Sequence, residues 1–190
     1  MIKVFTGPMY AAKSLGLIQA ATVRQKKDRN NVLCFKPSID TRDKNKIKSR
    51  VIDKSLDAYI IQDLAQIKEF VTEETDTIII DEAQFLSGDV QELLSLTIRD
   101  KIDIYIAGLD LTSEQTPFTI MPNILAIATE VVKLKSRCQS CGNEAEYTYC
   151  FVSKQDDVMV GNNGYVPLCR DCLYNIKSIK KDMNTLNKVR

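Results

Sequence analysis

Short apolar runs alternate with segments of helical periodicity from the first residue to about Ala107. The runs are rich in β-branched residues and end at turn-forming residues, which is typical of buried strands; they cover Met1–Phe5, Asn31–Phe35, Ala58–Ile61, Thr77–Ile80 and Ile102–Ala107. Apolar positions at helical spacing indicate helices over Lys13–Lys26, Leu64–Val71 and Asp89–Ile98. This order predicts an α/β fold, with a parallel sheet that carries helices on both faces.

The pattern changes at two places along the chain. Residues 38–54 are polar and charged without periodicity, so we expect a mobile loop there. After Lys135 the chain turns to short segments with paired cysteines and glycines, which predicts a second, small domain. We therefore divide the chain into an α/β domain over residues 1–135, a small domain over 136–175 and a charged C-terminal tail over 176–190.

The composition is that of an ordinary globular chain, with 190 residues, 44% hydrophobic and 27% charged. The net charge of +1 gives no global signal for nucleic acid or an anionic membrane as a partner. Neither a bilayer-spanning run of ~20 apolar residues nor a signal peptide is apparent. We therefore expect a cytoplasmic protein.

The chain contains six cysteines and no histidine. The absence of histidine excludes Ser-His and Cys-His catalysis and the histidine-based zinc proteases. A general base must then be a carboxylate, lysine, tyrosine or cysteine, and a zinc site must depend mainly on thiolates.

A candidate phosphate-binding loop lies between the first strand and the first helix, with the sequence Gly7-Pro8-Met9-Tyr10-Ala11-Ala12-Lys13-Ser14. In such loops, backbone N–H groups and the helix N-terminus surround phosphate oxygens. Lys13 would neutralise the transferred phosphate and Ser14 would bind Mg²⁺. Ala12 stands where the usual pattern has glycine, so an ordinary strand-turn-helix with a chance Lys-Ser pair remains the alternative.

Two carboxylates, Asp81 and Glu82, end the buried run Thr77–Ile80. In a doubly wound sheet, the carboxyl ends of the strands face the ligand crevice. Asp81 would then lie near the Mg²⁺ and Glu82 would point at the substrate. The alternative is a simple helix N-cap, but the loop and the carboxylates together favour nucleotide binding.

Two matched cysteine pairs, Cys138/Cys141 and Cys169/Cys172, lie in the small C-terminal domain. Four thiolates at this spacing suit a tetrahedral zinc, which in a cytoplasmic chain is favoured over disulfides. Four protein ligands leave no open position, so the zinc would be structural. Cys34 and Cys150 are interpreted as ordinary core or surface residues.

Together these motifs resemble one family, the type II thymidine kinases, which are zinc-containing deoxynucleoside kinases. The resemblance extends from Val4 to about Tyr174 and rests on the loop at 7–14, the segment Phe35–Arg42, the motif Asp81-Glu82-Ala83-Gln84-Phe85, Gly108-Leu109-Asp110 with Pro117-Phe118, and the cysteine pairs. Ala145, Thr148, Val160, Gly161 and Tyr165 are similar to a lasso loop that closes over the nucleoside.

The resemblance implies a P-loop-type parallel sheet with a small zinc-ribbon domain that carries the lasso. It implies that Glu82 is the general base, that Lys13 and Arg42 stabilise the transferring phosphoryl group, and that Ser14 and Asp81 bind Mg²⁺. The whole loop 7–14 would hold ATP. The residues implied in nucleoside binding are Met9, Phe85, Leu109, Phe118 and Tyr165 around the base, and Thr148, Val160 and Gly161 at its hydrogen-bonding edge.

The implied function is transfer of the γ-phosphate of ATP to thymidine or deoxyuridine, by a homotetramer that needs Mg²⁺ and a structural Zn²⁺. One alternative is a diverged relative that binds nucleotide with weak or no catalysis because of Ala12. A zinc ribbon that binds nucleic acid is another alternative, but few basic residues lie between the cysteine pairs.

Overall fold

The computed structural model describes residues 1–25, 31–152 and 164–187. The strands are β1 (Ile2–Thr6), β2 (Val32–Pro37), β3 (Lys46–Lys48), β4 (Ser55–Asp57), β5 (Tyr59–Ile61), β6 (Thr77–Ile80), β7 (Asp103–Gly108), β8 (Glu130–Lys133), β9 (Ser136–Arg137), β10 (Glu144–Ala145), β11 (Tyr147–Cys150) and β12 (Tyr165–Leu168). The α-helices are α1 (Lys13–Gln25), α2 (Gln91–Ile98), α3 (Met121–Ile127) and α4 (Arg170–Asn187), and short 3-10 helices cover Leu64–Glu69 and Ala83–Phe85.

Six strands form one parallel sheet in the order β5-β2-β6-β7-β1-β8. The central strand β6 is buried at every position. Its apolar sequence therefore satisfies both faces of the sheet at once, as central parallel strands require. The five strands predicted from the sequence all belong to this sheet, so the predicted α/β fold is confirmed.

The two faces of the sheet carry separate apolar cores, because neighbouring residues of a strand point to opposite sides. On β6, Ile78 and Ile80 pack with α2, α3 and the first 3-10 helix. Ile79 faces the other side, where it packs with Leu17 and Ala21 of α1. Helices on both faces were predicted, and they are present.

Two predictions for the polar part of the chain are wrong in detail. The stretch 38–54 was expected to be a loop, but it contributes β3 to an antiparallel hairpin with β4. The hairpin is held by Ile47, which is buried against the α1 side of the sheet. The helix expected over Leu64–Val71 is a 3-10 helix that ends at Glu69 and begins with a capping box between Asp63 and Gln66.

The strand β8 and the helix α3 did not appear among the predicted elements. β8 is an edge strand next to β1, and most of its side chains are exposed. An exposed edge strand has no buried face to produce an apolar pattern, so its sequence Glu-Val-Val-Lys is not diagnostic.

The strands β9 to β12 and the start of α4 surround a third apolar cluster, formed by Cys138, Ala145, Tyr149, Leu168 and Leu173. The five residues lie within 136–175, the range predicted for the small domain. Helix α4 continues without interruption from Arg170 to Asn187, across the proposed boundary with the tail. Among the described residues, no helix has the length and apolar character to cross a membrane.

The parallel arrangement places several loops at one edge of the sheet. The carboxyl ends of β1, β2, β6 and β7 lead into the segments that begin with Gly7, Ser38, Asp81 and Leu109. Ligands bind at this edge in open α/β sheets.

Candidate active site

A cavity of about 550 Å³ opens at this edge of the sheet, a volume within the usual range for small-molecule sites. Of the site residues predicted from the sequence, the cavity is lined by Met9, Tyr10, Ala11, Ala12, Lys13, Ser14, Arg42, Asp81, Glu82, Phe85, Leu109, Phe118, Thr148 and Tyr165. Gly7 and Pro8 are buried beneath it. Val160 and Gly161 lie outside the described residues.

The loop at 7–14 wraps around the ammonium group of its own lysine. Lys13 Nζ donates hydrogen bonds to the carbonyl oxygens of Pro8 at 2.7 Å and Gly7 at 3.2 Å. Burial lowers the pKa of Lys13, although the charges of Glu82 and Asp81 act in the opposite direction. Gly7 has φ 130°, and a Cβ there would lie 2.1 Å from the carbonyl oxygen of Leu134. This position therefore requires glycine.

Ala12, the position where the sequence departs from the usual loop, adopts φ 58°. The chain thus keeps the left-handed conformation that glycine permits at low cost, with an alanine in place. The methyl group is exposed in the cavity. The departure from glycine therefore carries the strain of a left-handed backbone at a residue with a Cβ.

We expect Ala12→Gly to leave stability unchanged or to raise it by up to about 1.5 kcal/mol. Relief of left-handed strain gives about 1–2 kcal/mol, and the greater freedom of glycine in the unfolded chain removes about 0.4–1 kcal/mol. The free energy of unfolding from urea titration measures the effect.

The matched control for that substitution is Ala20→Gly in helix α1. An ordinary helical alanine loses about 1 kcal/mol on replacement by glycine. An equal loss at both positions would contradict the left-handed conformation of Ala12.

Ser14 and Asp81 meet where the loop faces the end of β6. Ser14 Oγ donates a hydrogen bond of 2.9 Å to Asp81 Oδ2. Burial and the neighbouring charge of Glu82 raise the pKa of Asp81 to about 7, against the lowering effect of the Ser14 hydrogen bond. A cation bound next to Asp81 would stabilise its ionised form.

Glu82 is held from two sides. Its Oε1 accepts from Arg42 Nη2 at 2.5 Å, and its Oε2 accepts from Gln84 Nε2 at 2.6 Å. The backbone of Glu82 adopts φ 52°, an uncommon conformation for this residue type. Residues in such conformations occur often at functional sites.

Gln84 is a site residue that the sequence analysis did not single out. Its side chain is fully buried, and its Oε1 accepts from the backbone N–H of Leu109 at 2.9 Å. A Cβ at Gly108 would lie 3.0 Å from that same oxygen. Gln84 therefore connects Glu82 with the loop after β7. The signal in the sequence that could have identified Gln84 is its place within the motif Asp81-Glu82-Ala83-Gln84-Phe85.

Replacement of Gln84 by methionine keeps the apolar volume and removes both hydrogen bonds. We expect kcat for the phosphoryl transfer that the resemblance implies to fall about tenfold. The lost hydrogen bond is made to the charged Glu82, and such a bond contributes about 1.5–3 kcal/mol. Steady-state kinetics with Gln19→Met, an exposed position on α1, as the control will measure the effect. Unchanged kcat in a folded Gln84→Met variant would show that Glu82 needs no support from Gln84.

Arg42 is the second of four side chains of alternating charge that contact one another in the order Glu82, Arg42, Asp40, Lys36. Its Nε donates to Asp40 Oδ1 at 2.6 Å, and Lys36 Nζ lies 3.0 Å from Asp40 Oδ2. Burial would raise the pKa of Asp40, but hydrogen bonds from Arg42 and Lys36 outweigh it and hold the pKa below its ordinary value. Asp40 is therefore ionised at neutral pH.

Aromatic and aliphatic side chains form an apolar part of the cavity wall. Phe85 and Phe118 pack edge to face with ring centroids 5.6 Å apart. Thr148 on β11 is buried, and its Oγ1 accepts from the backbone N–H of Met9 at 2.9 Å. This bond connects the small C-terminal region with the loop at 7–14.

The four cysteines of the two pairs come together in the structure as the spacing predicts. The Sγ atoms of Cys138, Cys141, Cys169 and Cys172 all lie within 4.8 Å of one another. The Cys141 and Cys169 Sγ atoms are 3.7 Å apart, against about 3.8 Å between sulfurs of a tetrahedral zinc site with Zn–S distances of ~2.3 Å. The cluster therefore fits zinc.

Within the cluster only Cys138 has surroundings that favour a thiolate. Hydrogen bonds from Asn143 and Ser140 lower the pKa values of Cys141 and Cys172, but contacts with the neighbouring cysteines outweigh them and raise both. Burial raises the pKa of the Cys138 thiol, but backbone hydrogen bonds from Cys169 and Cys141 outweigh it and bring the pKa down to about 6. Metal binding requires this deprotonated form. Cys34 and Cys150 lie outside the cluster and are buried, which confirms Cys34 as a core residue.

The parallel sheet, the strand-to-helix loop around Lys13 and the acidic strand end are typical of α/β proteins that bind nucleotide phosphates. A family model described as thymidine kinase matches residues 1–173. The chain belongs to the thymidine kinase family.

Individual relatives agree with this assignment. A protein named thymidine kinase from Pseudothermotoga lettingae is 29% identical over 95% of this chain and 98% of its own length. Proteins of the same name from Bacteroides fragilis and Mycoplasma mobile are 36% and 34% identical, over 90% and 98% of this chain and 85% and 93% of their own lengths.

Proposed function

We propose that this chain transfers the γ-phosphate of ATP to the 5′-hydroxyl of thymidine, with deoxyuridine as a second substrate. The observation that carries the proposal is that Lys13, Ser14, Arg42, Asp81 and Glu82 all line one cavity. They come from separate segments of the chain, so their convergence requires the folded sheet. Family membership supports the choice of nucleoside.

In the proposed reaction, the Glu82 carboxylate takes the proton of the 5′-hydroxyl as the new O–P bond forms. The bond between the γ-phosphorus and the bridging oxygen breaks, and ADP carries the released charge. Lys13 and Arg42 stabilise the charge on the transferring group. For this step an Nη2–H of Arg42 would pass from Glu82 Oε1 to a phosphoryl oxygen while Nε stays on Asp40, which frees the base.

Ser14 and Asp81 are the residues that would hold Mg²⁺. Their oxygens are 2.9 Å apart, which equals the separation of about 2.9 Å between neighbouring ligands of an octahedral ion at 2.0–2.1 Å. When bound, the ion supplies positive charge next to the phosphates of ATP.

The nucleoside would lie against the apolar wall of the cavity. We propose that Met9, Phe85, Leu109, Phe118 and Tyr165 surround the base. Thr148 Oγ1 accepts from Met9, so its hydroxyl proton can still be donated to a carbonyl oxygen of the thymine edge. The roles of Val160 and Gly161 in the lasso remain predictions.

We propose that the zinc ribbon, residues 136–175, acts as a structural clamp. The cysteine pairs bracket residues 142–168, and a metal that joins them fixes both ends of that segment. The same segment contains Thr148 and Tyr165, which line the cavity.

The alternative of a diverged, weakly catalytic binder is not better supported. It rested on Ala12, whose backbone follows the conformation that glycine would adopt. A homotetrameric state remains an expectation from the family resemblance. A cytoplasmic location and the absence of a nucleic-acid partner remain expectations from composition and charge. Sedimentation of the purified protein will measure the oligomeric state.

The test is phosphorylation by the purified protein with MgATP, followed by chromatographic separation of the nucleotides. We expect thymidine monophosphate and ADP in equal amounts, and little product from deoxycytidine. If thymidine gives no product while zinc content and thermal unfolding show a folded protein, the proposed function is wrong.

A further inference from the structure

Lys36 is a buried cation in a strand that is otherwise apolar up to its terminal proline. It lies on β2 within the sequence Val-Leu-Cys-Phe-Lys-Pro, and its side chain is 1% exposed. A charged side chain at such a place requires compensation, because removal of an ammonium from water is costly. In the structure, two contacts of Lys36 Nζ compensate for the loss of water.

Both contacts of Lys36 are made with the segment that carries Arg42. The Lys36 Nζ atom lies 3.0 Å from Asp40 Oδ2 and 3.3 Å from the carbonyl oxygen of Lys46. Asp40 precedes Arg42 in the chain and Lys46 follows it. One buried ammonium therefore holds the segment on both sides of Arg42.

The contact continues from Asp40 to the guanidinium itself. Asp40 Oδ1 accepts from Arg42 Nε at 2.6 Å and from the backbone N–H of Arg42 at 3.4 Å. Arg42 Nη2 donates to Glu82 Oε1 at 2.5 Å. Since an arginine side chain has several rotatable bonds, a partner at Nε is needed to keep its Nη end in the cavity.

We propose that Lys36 is a positioning residue for phosphoryl transfer, which acts through Asp40 and the Lys46 carbonyl to hold Arg42 at the reacting group. The role rests on the proposed function of Arg42. Lys36 itself touches no substrate. An apolar side chain at this place in the sheet would satisfy packing alone, so the benefit of the buried charge is the fixed direction of the guanidinium.

A purely structural role for Lys36 makes a different prediction. If Lys36 only fixes the β3–β4 hairpin through the Lys46 carbonyl, its replacement would reduce stability and would disturb nucleoside binding together with catalysis. A positioning role through Arg42 lowers kcat, leaves KM for thymidine nearly unchanged, and vanishes once Arg42 is absent.

The experiment is a double-mutant cycle on the full chain, with Lys36→Met, Arg42→Ala and the double variant. We expect Lys36→Met to lower kcat by about tenfold to a hundredfold with KM for thymidine within about twofold. Arg42→Ala should lower kcat by about a thousandfold, and the double variant should match it within about twofold. Lys54→Met, at an exposed lysine of the same region, controls for loss of positive charge.

If the reduction of kcat in the double variant equals the product of the two single reductions, the proposal is wrong. An unchanged kcat in Lys36→Met would also overturn it. If Lys36→Met does not fold, Asp40→Asn with and without Arg42→Ala decides in the same way. An inactive wild-type protein would refute the proposed function and this role with it. An active wild type with multiplied losses refutes only the role of Lys36.

Discussion

Glu82→Gln should lower kcat for thymidine phosphorylation by about a thousandfold, because glutamine cannot accept the 5′-hydroxyl proton. The substitution keeps the shape of the side chain and one carbonyl-type oxygen, so Gln84 can still donate its hydrogen bond. Arg42 loses a charged partner but keeps Asp40, 2.6 Å from its Nε. We therefore expect KM for thymidine to change by less than about threefold.

Single-turnover measurements with MgATP and thymidine will isolate the chemical step. Glu69→Gln, at an exposed carboxylate of the first 3-10 helix, is the control for the same chemical change outside the cavity. Equal rates for the wild type and Glu82→Gln would show that another group accepts the proton, and the role assigned to Glu82 would then be withdrawn.

Cys169→Ala is expected to abolish zinc binding and, with it, most of the activity. Removal of one thiolate leaves three ligands, and the binding free energy of structural zinc, about 10–16 kcal/mol in small zinc domains, is also folding free energy. Zinc content should fall from about one per chain to less than about a tenth. Elemental analysis together with thermal unfolding measures both effects.

The effect on activity follows from a connection between the cluster and the phosphate loop. Cys169 directly follows β12, which pairs with β11 so that Thr148 lies opposite Pro167. Thr148 in turn accepts from the backbone N–H of Met9 in the loop. Loss of the metal would free β12 and thereby loosen both the nucleoside wall and the loop.

Cys34→Ala is the matched control, since Cys34 is buried in β2 away from the cluster. Burial raises the pKa of its thiol to about 12, so it stays protonated and binds no metal at neutral pH. We expect this variant to retain zinc and activity. Full zinc content in Cys169→Ala would show that the four sulfurs are not the ligands of a single ion.

Elements with a buried face were predictable from the sequence. β6 was predicted with its bounds unchanged, because every residue of Thr77–Ile80 is buried. β1, β2 and β7 were displaced by one or two residues at their ends, since hydrogen bonding rather than hydrophobicity decides where a strand stops. The edge strand β8 and the hairpin β3–β4 bury few side chains, and their polar sequences gave no periodic signal.

Candidate site residues were predictable where chemistry and local context agree. Lys13 and Ser14 lie at a strand-to-helix turn, Asp81 and Glu82 follow a buried strand, and the cysteines occur in spaced pairs. Each of these patterns is short in sequence. Contacts between segments that are distant in the sequence leave no such pattern. The hydrogen bonds of Glu82 with Arg42 and Gln84 therefore could not be derived from the sequence.

The sequence by itself determined the α/β order, the strands that form the sheet centre, and the four cysteines that could bind zinc. Buried strands and paired metal ligands each produce a pattern within a few neighbouring residues, so the sequence shows them directly. Only the tertiary structure decided that Ala12 keeps a glycine-like backbone, that Gln84 connects Glu82 with Leu109, and that Lys36 lies behind Arg42. The last two features depend on the strand order β2-β6-β7, which brings distant segments to one edge of the sheet.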